Sequence, residues 1–307
     1  MADKKNAIRI EYFLMLIVTF FWAIGHPLGR IITQKLHPFQ LSAITLVTGF
    51  LTIFIYLLFT GRVKQLFRLS FRDISMSFVL GVLGFFVYQI LTFSALSRIP
   101  ASINAVLISN NVVFIAILSA IFLKEKIKLM TIFGIILAAA GVLLVTFNRG
   151  FSLGSTGRID FLGISFSLLA ALSTALYSVI GKKVLSSNDP LIITTLALFF
   201  GAVLQVILTV FTVGFAEVVV AGWQINLLTL FLGISMIGIS YPLWFVCLKR
   251  FPVSQISIYM YLTPVFGVIL SLIILNERFS WLFWIGGLLI LAAIIITNIA
   301  KSRRKET

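Results

Sequence analysis

The residues of this sequence that could do chemistry are polar side chains inside long apolar segments. In Phe20–Arg30, FFWAIGHPLGR, Trp22 and His26 stand four residues apart and therefore share one face of a helix. Pro27 predicts a bend, because proline lacks a backbone N–H and clashes with the preceding turn. His26 therefore either hydrogen-bonds a carbonyl that the proline frees, or contacts a substrate, or carries a proton.

Carboxylates are absent from the centres of these apolar segments. All nine Asp and Glu residues stand near segment ends or beyond them, whereas a dedicated proton or sodium relay usually keeps a carboxylate at mid-membrane. Glu11, one turn into the first segment, and His26 are the two proton-coupling candidates. The lack of a central acid favours facilitated diffusion or exchange, with proton coupling as the alternative.

Further polar and aromatic candidates recur in six of the apolar segments. Asn104 and Asn111 are seven residues apart and share one helix face. A buried amide serves either as an interhelical bond or as a ligand for ammonium and carboxylate groups. Pro242 and Pro264, like Pro27, are predicted hinges. The predicted substrate-binding residues are Trp22, His26, Tyr88, Gln89, Asn104, Asn111, Thr174, Tyr177, Ser178, Ser240, Tyr241, Trp244, Tyr259 and Thr263.

Composition places the segments that carry these residues in a membrane. Of the 307 residues, 60% are hydrophobic and 11% are charged, and the mean hydropathy is +1.14; soluble domains are about one-quarter charged. Barrel-type alternation is absent, so we predict an all-α integral membrane protein. Ten segments approach the roughly 20 residues that cross a bilayer: 10–32, 38–60, 73–95, 101–123, 129–147, 160–181, 190–213, 226–248, 253–275 and 280–300.

The distribution of Lys and Arg predicts the orientation of these spans. With the N-terminus inside, 18 of the 24 basic residues fall in inside segments, as the positive-inside rule requires. Both termini are therefore predicted to be cytoplasmic. We expect a multi-pass protein of a bacterial cytoplasmic membrane, present as a monomer or homodimer, whose partners are the lipid bilayer and a small-molecule substrate.

Several other classes of protein do not fit the sequence. The net charge of +15 does not indicate nucleic-acid binding, because the bases lie between apolar runs and form no patch with exposed aromatic residues. Cys247 is the single cysteine, so a disulfide framework and a metal cluster are excluded. No cofactor is expected.

An internal repeat appears when the chain is shifted against itself by 152 residues. The shift superposes Arg98 on Arg250, Pro100 on Pro252, Glu125 on Glu277, Gly81 on Gly233 and Pro38 on Pro190. Each half holds five predicted spans, and since five is odd, the second half enters the membrane from the opposite side. Inverted repeats of this kind underlie alternating access in transporters. The predicted boundaries are 1–148 and 157–300 for the two repeats and 301–307 for a basic tail.

Three segments resemble the EamA family of the drug/metabolite transporter superfamily. They are FWAIGHPLGRII at 21–32 and the paired stretches 95–145 and 247–296, the last of which carries Pro264, Glu277, Trp284 and Gly286. The resemblance covers essentially the whole chain. It implies ten helices in two inverted repeats that export or exchange small metabolites. It names no substrate, because members of the family move amino acids, sugar derivatives, cations and drugs.

The sequence therefore predicts a secondary transporter and not an enzyme. The expected substrates are small polar or amphipathic metabolites such as amino acids, since a zwitterion suits a site without fixed central charge better than a polyanion does. Proton-coupled efflux of drugs or quaternary cations is the alternative. A more remote one is an integral-membrane enzyme, which would need clustered His, Asp or Glu side chains.

Overall fold

The structure, a computed structural model, describes residues 2–99, 101–125, 129–147, 160–275 and 281–302. Within these ranges every regular element is a helix and no strand occurs, which confirms the all-helical class. The α-helices are α1 (Ala2–Ile32), α2 (Pro38–Phe59), α3 (Phe71–Gly81), α4 (Tyr88–Arg98), α5 (Ala101–Ser109), α6 (Asn111–Phe122), α7 (Leu129–Phe147), α8 (Phe161–Val184), α9 (Pro190–Thr212), α10 (Ala216–Val220), α11 (Trp223–Leu232), α12 (Ser240–Arg250), α13 (Val253–Ile256), α14 (Leu262–Leu275) and α15 (Trp281–Ser302).

Among the described residues, six helical stretches are long and apolar enough to cross a bilayer. They are Phe13–Ile32, Pro38–Phe59, Phe71–Arg98, Phe161–Val184, Pro190–Thr212 and Trp223–Arg250. These stretches coincide with the first three predicted spans and with the sixth to eighth. The fourth, fifth and tenth predicted spans contain the shorter apolar stretches Leu107–Phe122, Ile132–Gly141 and Trp284–Ala293. The ninth is divided by a 3-10 helix, Ser257–Tyr261, so ten spans remains a prediction.

Proline marks the start of α2 and of α9. Pro38 and Pro190 occupy the first turn of each helix, where a missing N–H costs nothing. The residue before each proline caps the helix: His37 Nδ1 accepts the N–H of Phe39 at 3.2 Å, and Asp189 accepts that of Leu191 at 2.9 Å. Both helix starts are thus fixed by the local sequence.

Two of the six long stretches contain a π-helical segment. Val82–Val87 joins α3 to α4, and Gly233–Ile239 joins α11 to α12. Wide turns of this kind are frequent at functional sites. Each segment receives a hydrogen bond from a neighbouring long helix: the Trp22 indole N–H of α1 donates to the Met236 carbonyl at 3.2 Å, and the Ser173 hydroxyl of α8 donates to the Leu83 carbonyl at 2.7 Å.

Glycines allow close backbone crossings beside both π-helical segments. A Cβ on Gly81 would lie 2.5 Å from the carbonyl oxygen of Ala197 in α9, and a Cβ on Gly233 would lie 2.9 Å from that of Thr45 in α2. A side chain would not fit at either crossing, as is typical of membrane helix interfaces. The two pairs are related by the same offset of 152 residues.

The helices α7 and α15 form a separate close pair. A Cβ on Gly141 would lie 2.6 Å from the carbonyl oxygen of Gly286. The outward sides of the pair expose Ile136 and Leu288, as expected for surfaces that contact lipid. Residues 303–307 of the predicted basic tail lie outside the described part of the chain.

Candidate functional site

A central cavity of about 40 Å³ lies where α1, α4, α5, α6, α8, α12 and α14 approach one another. The residues that line it are Trp22, Gly25, His26, Tyr88, Thr92, Phe93, Leu96, Ala105, Ile108, Ser109, Asn111, Thr174, Met236, Tyr241, Met260 and Thr263. This volume holds a few water molecules and is far below the 300–1,000 Å³ of typical small-molecule sites. The structure therefore represents a state in which the cavity is too small for a metabolite.

The structure brings half of the predicted substrate-binding residues to this cavity. The lining contains Trp22, His26, Tyr88, Asn111, Thr174, Tyr241 and Thr263. They come from both halves of the sequence, so the cavity lies between the predicted repeats.

The other predicted residues lie behind the lining. Gln89 and Tyr259 are buried outside it. The hydroxyl of Ser178 donates to the Thr174 carbonyl at 2.9 Å, and that of Ser240 donates to the Ser235 carbonyl at 2.8 Å. These two hydroxyls thus satisfy backbone carbonyls of their own helical segments.

Tyr177 and Trp244 belong to an aromatic cluster that supports one wall of the cavity. The ring of Tyr241 lies 5.4 Å from that of Trp22 and 5.8 Å from that of Tyr177, and Trp22 lies 5.8 Å from Trp244. Ring pairs at these separations add packing energy to the apolar area that they bury. The cluster holds Trp22 and Tyr241, which are the members that reach the cavity.

Asn104 links three helices beneath the cavity. Its amide nitrogen lies 3.4 Å from His26 Nδ1, and its amide oxygen accepts a hydrogen bond from the Ser167 hydroxyl at 2.8 Å. The three side chains come from α1, α5 and α8, and all are buried. Asn104 therefore holds helices of the two halves together and fixes the orientation of the His26 ring.

Two polar side chains of the lining, Thr92 and Asn111, are more than nine-tenths buried. Within the described part of the chain Asn111 Oδ1 has no hydrogen-bond partner, whereas the Thr92 hydroxyl interacts with that of Tyr88. Since most buried polar groups in proteins are paired, Asn111 Oδ1 would gain a partner if widening of the cavity let water or a ligand reach it. The amide nitrogen of Asn111 contacts the sulfur of Met260 at 3.4 Å, which directs its oxygen to one side.

Thr92, Gly25 and the two methionines of the lining were not identified from the sequence. Thr92 lies one turn after Tyr88, so its position on the same helix face was the available signal. Met236 belongs to a π-helical segment and Met260 to a 3-10 helix, and regular helical spacing does not predict their directions.

The cavity lining carries no fixed charge. Of the described residues that line it, none is Asp, Glu, Lys or Arg, and His26 is the one titratable imidazole. The side chain of Glu11, the other proton-coupling candidate, lies outside the described residues. The described residues also contain no group of three or more His, Cys, Asp or Glu side chains that could hold a metal ion.

The three predicted hinge prolines occupy different local structures. Pro27 lies within α1, which continues as one helix to Ile32. Pro242 is the third residue of α12, directly after a π-helical segment, and Pro264 is the third residue of α14, directly after a 3-10 helix. The second and third prolines thus mark places where the helix type changes.

Basic side chains form hydrogen bonds with the ends of neighbouring helices on both sides of the cavity. Arg30 donates to the carbonyl of Leu96 at the end of α4, and Lys182 donates to that of Leu248 at 2.7 Å near the end of α12. Both pairs are separated by the offset of 152 residues. Such bonds satisfy carbonyls that a helix leaves unpaired at its C-terminus.

Carboxylates join the predicted halves at the same two ends. Glu125 follows α6 and accepts hydrogen bonds from the Val253 N–H at 3.1 Å and the Ser254 hydroxyl at 2.8 Å. At the other end Asp160 pairs with Arg98 at 3.1 Å. The backbone N–H of Gly163 and the guanidinium of Arg98 hold the pKa of the Asp160 carboxyl below its usual range.

Comparisons with known proteins identify the family. The profile of the EamA-like transporter family matches the chain twice, at residues 9–147 and 161–299. An uncharacterized transporter of Clostridium kluyveri is 28% identical over 96% of this chain and 95% of its own length. The uncharacterized transporter YyaM of Bacillus subtilis is 30% identical over 71% of this chain and 70% of its own.

More distant likenesses agree with this result. The chloroplastic WAT1-related protein At3g02690 of Arabidopsis thaliana is 24% identical over 94% of this chain and 69% of its own. One crystal structure shares the fold with a TM-score of 0.77 and 20% identity, and the match covers 97% of this chain and 99% of the other. The chain is therefore a member of the EamA-like transporter family, an all-helical multi-pass membrane protein of the drug/metabolite transporter superfamily.

Proposed function

We propose that the protein is a secondary transporter that exports or exchanges small polar or amphipathic metabolites, such as amino acids. The observation that carries this proposal is the central cavity, which is lined from both halves of the chain, contains the unpaired amide oxygen of Asn111, and has no Asp, Glu, Lys or Arg among the described residues that line it. A neutral or zwitterionic molecule can replace its hydration there without leaving a charge uncompensated.

Alternating access of two inverted five-helix repeats, 1–148 and 157–300, is the proposed mechanism. The reciprocal crossings of Gly81 and Gly233 and the matched bonds of Arg30 and Lys182 support it, since each of these pairs is separated by 152 residues, and the two π-helical segments overlap at the same offset. Because the cavity is closed at its present volume, rocking of one repeat against the other has to widen it. We further propose ten spans with both termini in the cytoplasm, in a bacterial cytoplasmic membrane.

A second candidate is proton-coupled efflux of quaternary cations or drugs. The rings of Trp22, Tyr88 and Tyr241 on the cavity wall favour it, because an aromatic face attracts a desolvated cation. His26 supplies a group that a proton gradient would act on.

Flux into proteoliposomes tests both proposals. Vesicles preloaded with each member of a panel of amino acids, sugars, polyamines and quaternary ammonium compounds are assayed for counterflow, with and without a pH gradient. We expect amino-acid counterflow that needs no gradient. Accumulation of a quaternary cation only under a gradient would favour the second candidate, and no flux of any compound would contradict both.

Paired threonine variants connect the flux to the cavity. Thr92→Val removes the hydroxyl, which interacts with that of Tyr88 on the cavity wall, while it keeps the shape of the side chain. Thr45→Val removes an equally buried hydroxyl that is bonded to the Leu41 carbonyl of its own helix, outside the lining. We expect the KM to rise about 3- to 10-fold for Thr92→Val, the value of one neutral hydrogen bond, and to stay unchanged for Thr45→Val.

A further inference from the structure

A second cavity lies at the membrane-facing side of the bundle, apart from the transport cavity. It opens between α2, the 3-10 helix Val63–Arg68, the start of α3 and α9, and it has a volume of about 390 Å³, within the range of small-molecule sites. We call it the lateral crevice. It is lined by Phe50, Phe54, Leu66, Phe67, Ile74, Thr195, Leu196 and Phe199.

We propose that the lateral crevice binds an anionic phospholipid, with an acyl chain in the crevice and the phosphate held by Lys64 and Arg68. The aromatic and aliphatic side chains that form the walls of the crevice can pack against a hydrocarbon chain. The ring of Phe50 lies 5.3 Å from that of Phe54 and 5.7 Å from that of Phe199. Phe67 is 87% exposed at the rim, where contact with water would leave a large apolar surface uncovered.

The rim supplies the positive charge. Lys64 and Arg68 belong to the same short helix as Leu66 and Phe67, and both are exposed. In the described part of the chain no carboxylate lies within ion-pair distance of either side chain. Arg62, by contrast, is engaged by Asp189 at 2.6 Å. Lys64 and Arg68 thus lie beside the apolar lateral crevice. This arrangement fits a molecule with a phosphate at one end and a hydrocarbon chain at the other.

The repeat provides an internal comparison for this site. Residues 60–72 contain four Lys or Arg residues, whereas the related residues 212–224 contain none and include Glu217. The counterparts of Phe50, Phe54 and Phe199 at the offset of 152 residues are Ala202, Val206 and Val47. The combination of aromatic walls and a basic rim is thus not required by the fold.

The location of the crevice agrees with an anionic lipid. The loop at 60–72 is one of those that the Lys and Arg distribution predicts to face the cytoplasm. Anionic lipids of that leaflet attract each nearby basic residue by about 1 kcal/mol. Two such residues correspond to a roughly 30-fold preference over a zwitterionic lipid with the same chains.

Native mass spectrometry of the full chain in detergent tests the site. Phosphatidylglycerol and phosphatidylcholine with identical acyl chains are titrated in parallel, and inorganic phosphate is the headgroup control. The test variant is Lys64→Gln/Arg68→Gln. The matched control is Lys124→Gln/Lys183→Gln, which removes two exposed charges that follow α6 and lie in the last turn of α8, at helix ends that are predicted to lie on the same side. Leu196→Trp fills the crevice and tests the acyl-chain contact.

The expected result is a roughly 30-fold preference for phosphatidylglycerol in the wild type and the control. The test variant should bind both lipids equally, and Leu196→Trp should weaken both. If Leu196→Trp fails to fold, the pair of exposed charge variants still decides the question. The proposal would be overturned if the wild type bound the two lipids equally, or if the control lost the preference for phosphatidylglycerol as the test variant does. It would also be overturned if inorganic phosphate alone bound as strongly as phosphatidylglycerol.

Discussion

Glu125 offers a direct test of the proposed rocking motion, because its carboxylate joins the two halves at one end of the cavity. The carboxylate accepts the N–H groups of Val253 and Ser254 at 3.1 and 3.4 Å and the Ser254 hydroxyl at 2.8 Å. Glu125→Ala removes all three bonds. If the halves separate here when the cavity opens, these bonds exist only in the state that is closed at this end.

The size of the effect follows from the number and the exposure of these bonds. Hydrogen bonds to a charged group contribute about 1.5–3 kcal/mol each when they are buried. Glu125 is partly exposed, so solvent weakens these hydrogen bonds. We therefore assign about 2 kcal/mol of stabilisation of the closed state to all three together. A free-energy difference of that size changes the ratio of open to closed molecules roughly 30-fold.

Alkylation of a cysteine placed in the cavity measures this ratio. In a Cys247→Ala background, Ser109→Cys puts a thiol on the cavity wall, where the native hydroxyl bonds the Ala105 carbonyl of its own helix. A membrane-impermeant maleimide is applied from each side of oriented vesicles. We expect Glu125→Ala to raise the labelling rate by roughly 10- to 30-fold from the side that carries Lys182, and from that side only.

Glu217→Ala is the matched control for this experiment. Glu217 also accepts a backbone N–H, that of His37 at 3.1 Å. This bond lies away from the Glu125 site, where the end of α6 contacts the start of α13. Its removal should leave labelling from the Lys182 side unchanged. Unchanged labelling in Glu125→Ala, together with a lower melting temperature, would refute the reasoning, because the bonds would then stabilise the fold without closing the cavity.

Three further predictions concern the contacts that hold the two halves together. Gly84→Ala should destabilise the protein by about 1–3 kcal/mol, because its Cβ would overlap the Tyr177 ring; Gly287→Ala, which meets no neighbour, should not. Equilibrium unfolding compares the two, and equal values would show that the π-helical segment moves aside. Asn104→Leu should lower the free energy of unfolding by about 1–3 kcal/mol, because it breaks the link between His26 and Ser167. Ser167→Ala should cost less, since it removes one of the two Asn104 contacts and leaves the one with His26; the reverse order would contradict this assignment. Asp160 has a folded pKa below its unfolded value of roughly 3.9. Its contribution to stability is therefore present above that unfolded value and is lost as the pH falls through the folded pKa. The melting temperature should fall less between pH 6 and pH 3 in Asp160→Asn than in the wild type, and equal falls would exclude the Asp160 carboxylate as a source of the pH dependence.

The helical class and the family could be predicted from the sequence because both depend on signals that survive without coordinates. Length and hydropathy select the apolar stretches, and the offset of 152 residues pairs Arg98 with Arg250 and Gly81 with Gly233. The type of helix within the predicted span at 253–275 was predicted less accurately. Two changes of helix type occur within this span, and hydropathy does not distinguish an α-helix from a 3-10 helix.

The cavity lining was only partly predictable for a geometric reason. Trp22 and His26 were found because a regular helix places residues four apart on one face. Ser178 follows Thr174 by the same spacing, yet its hydroxyl turns back to the Thr174 carbonyl. Whether a membrane serine bonds its own turn or faces a cavity depends on the neighbouring helices, and one sequence does not contain that information.

The π-helical segments also set the direction in which the following helix faces. A wide turn accommodates one residue more than an α-helical turn, and one residue corresponds to about 100° of rotation. Deletion of a single residue from Val82–Val87 would restore regular winding and turn α4 by about that angle. Tyr88, Thr92 and Leu96, which stand four residues apart along α4 and face the cavity together, would then turn away from it as one unit. The length of this segment, as well as its composition, thus determines which side chains a transported molecule meets.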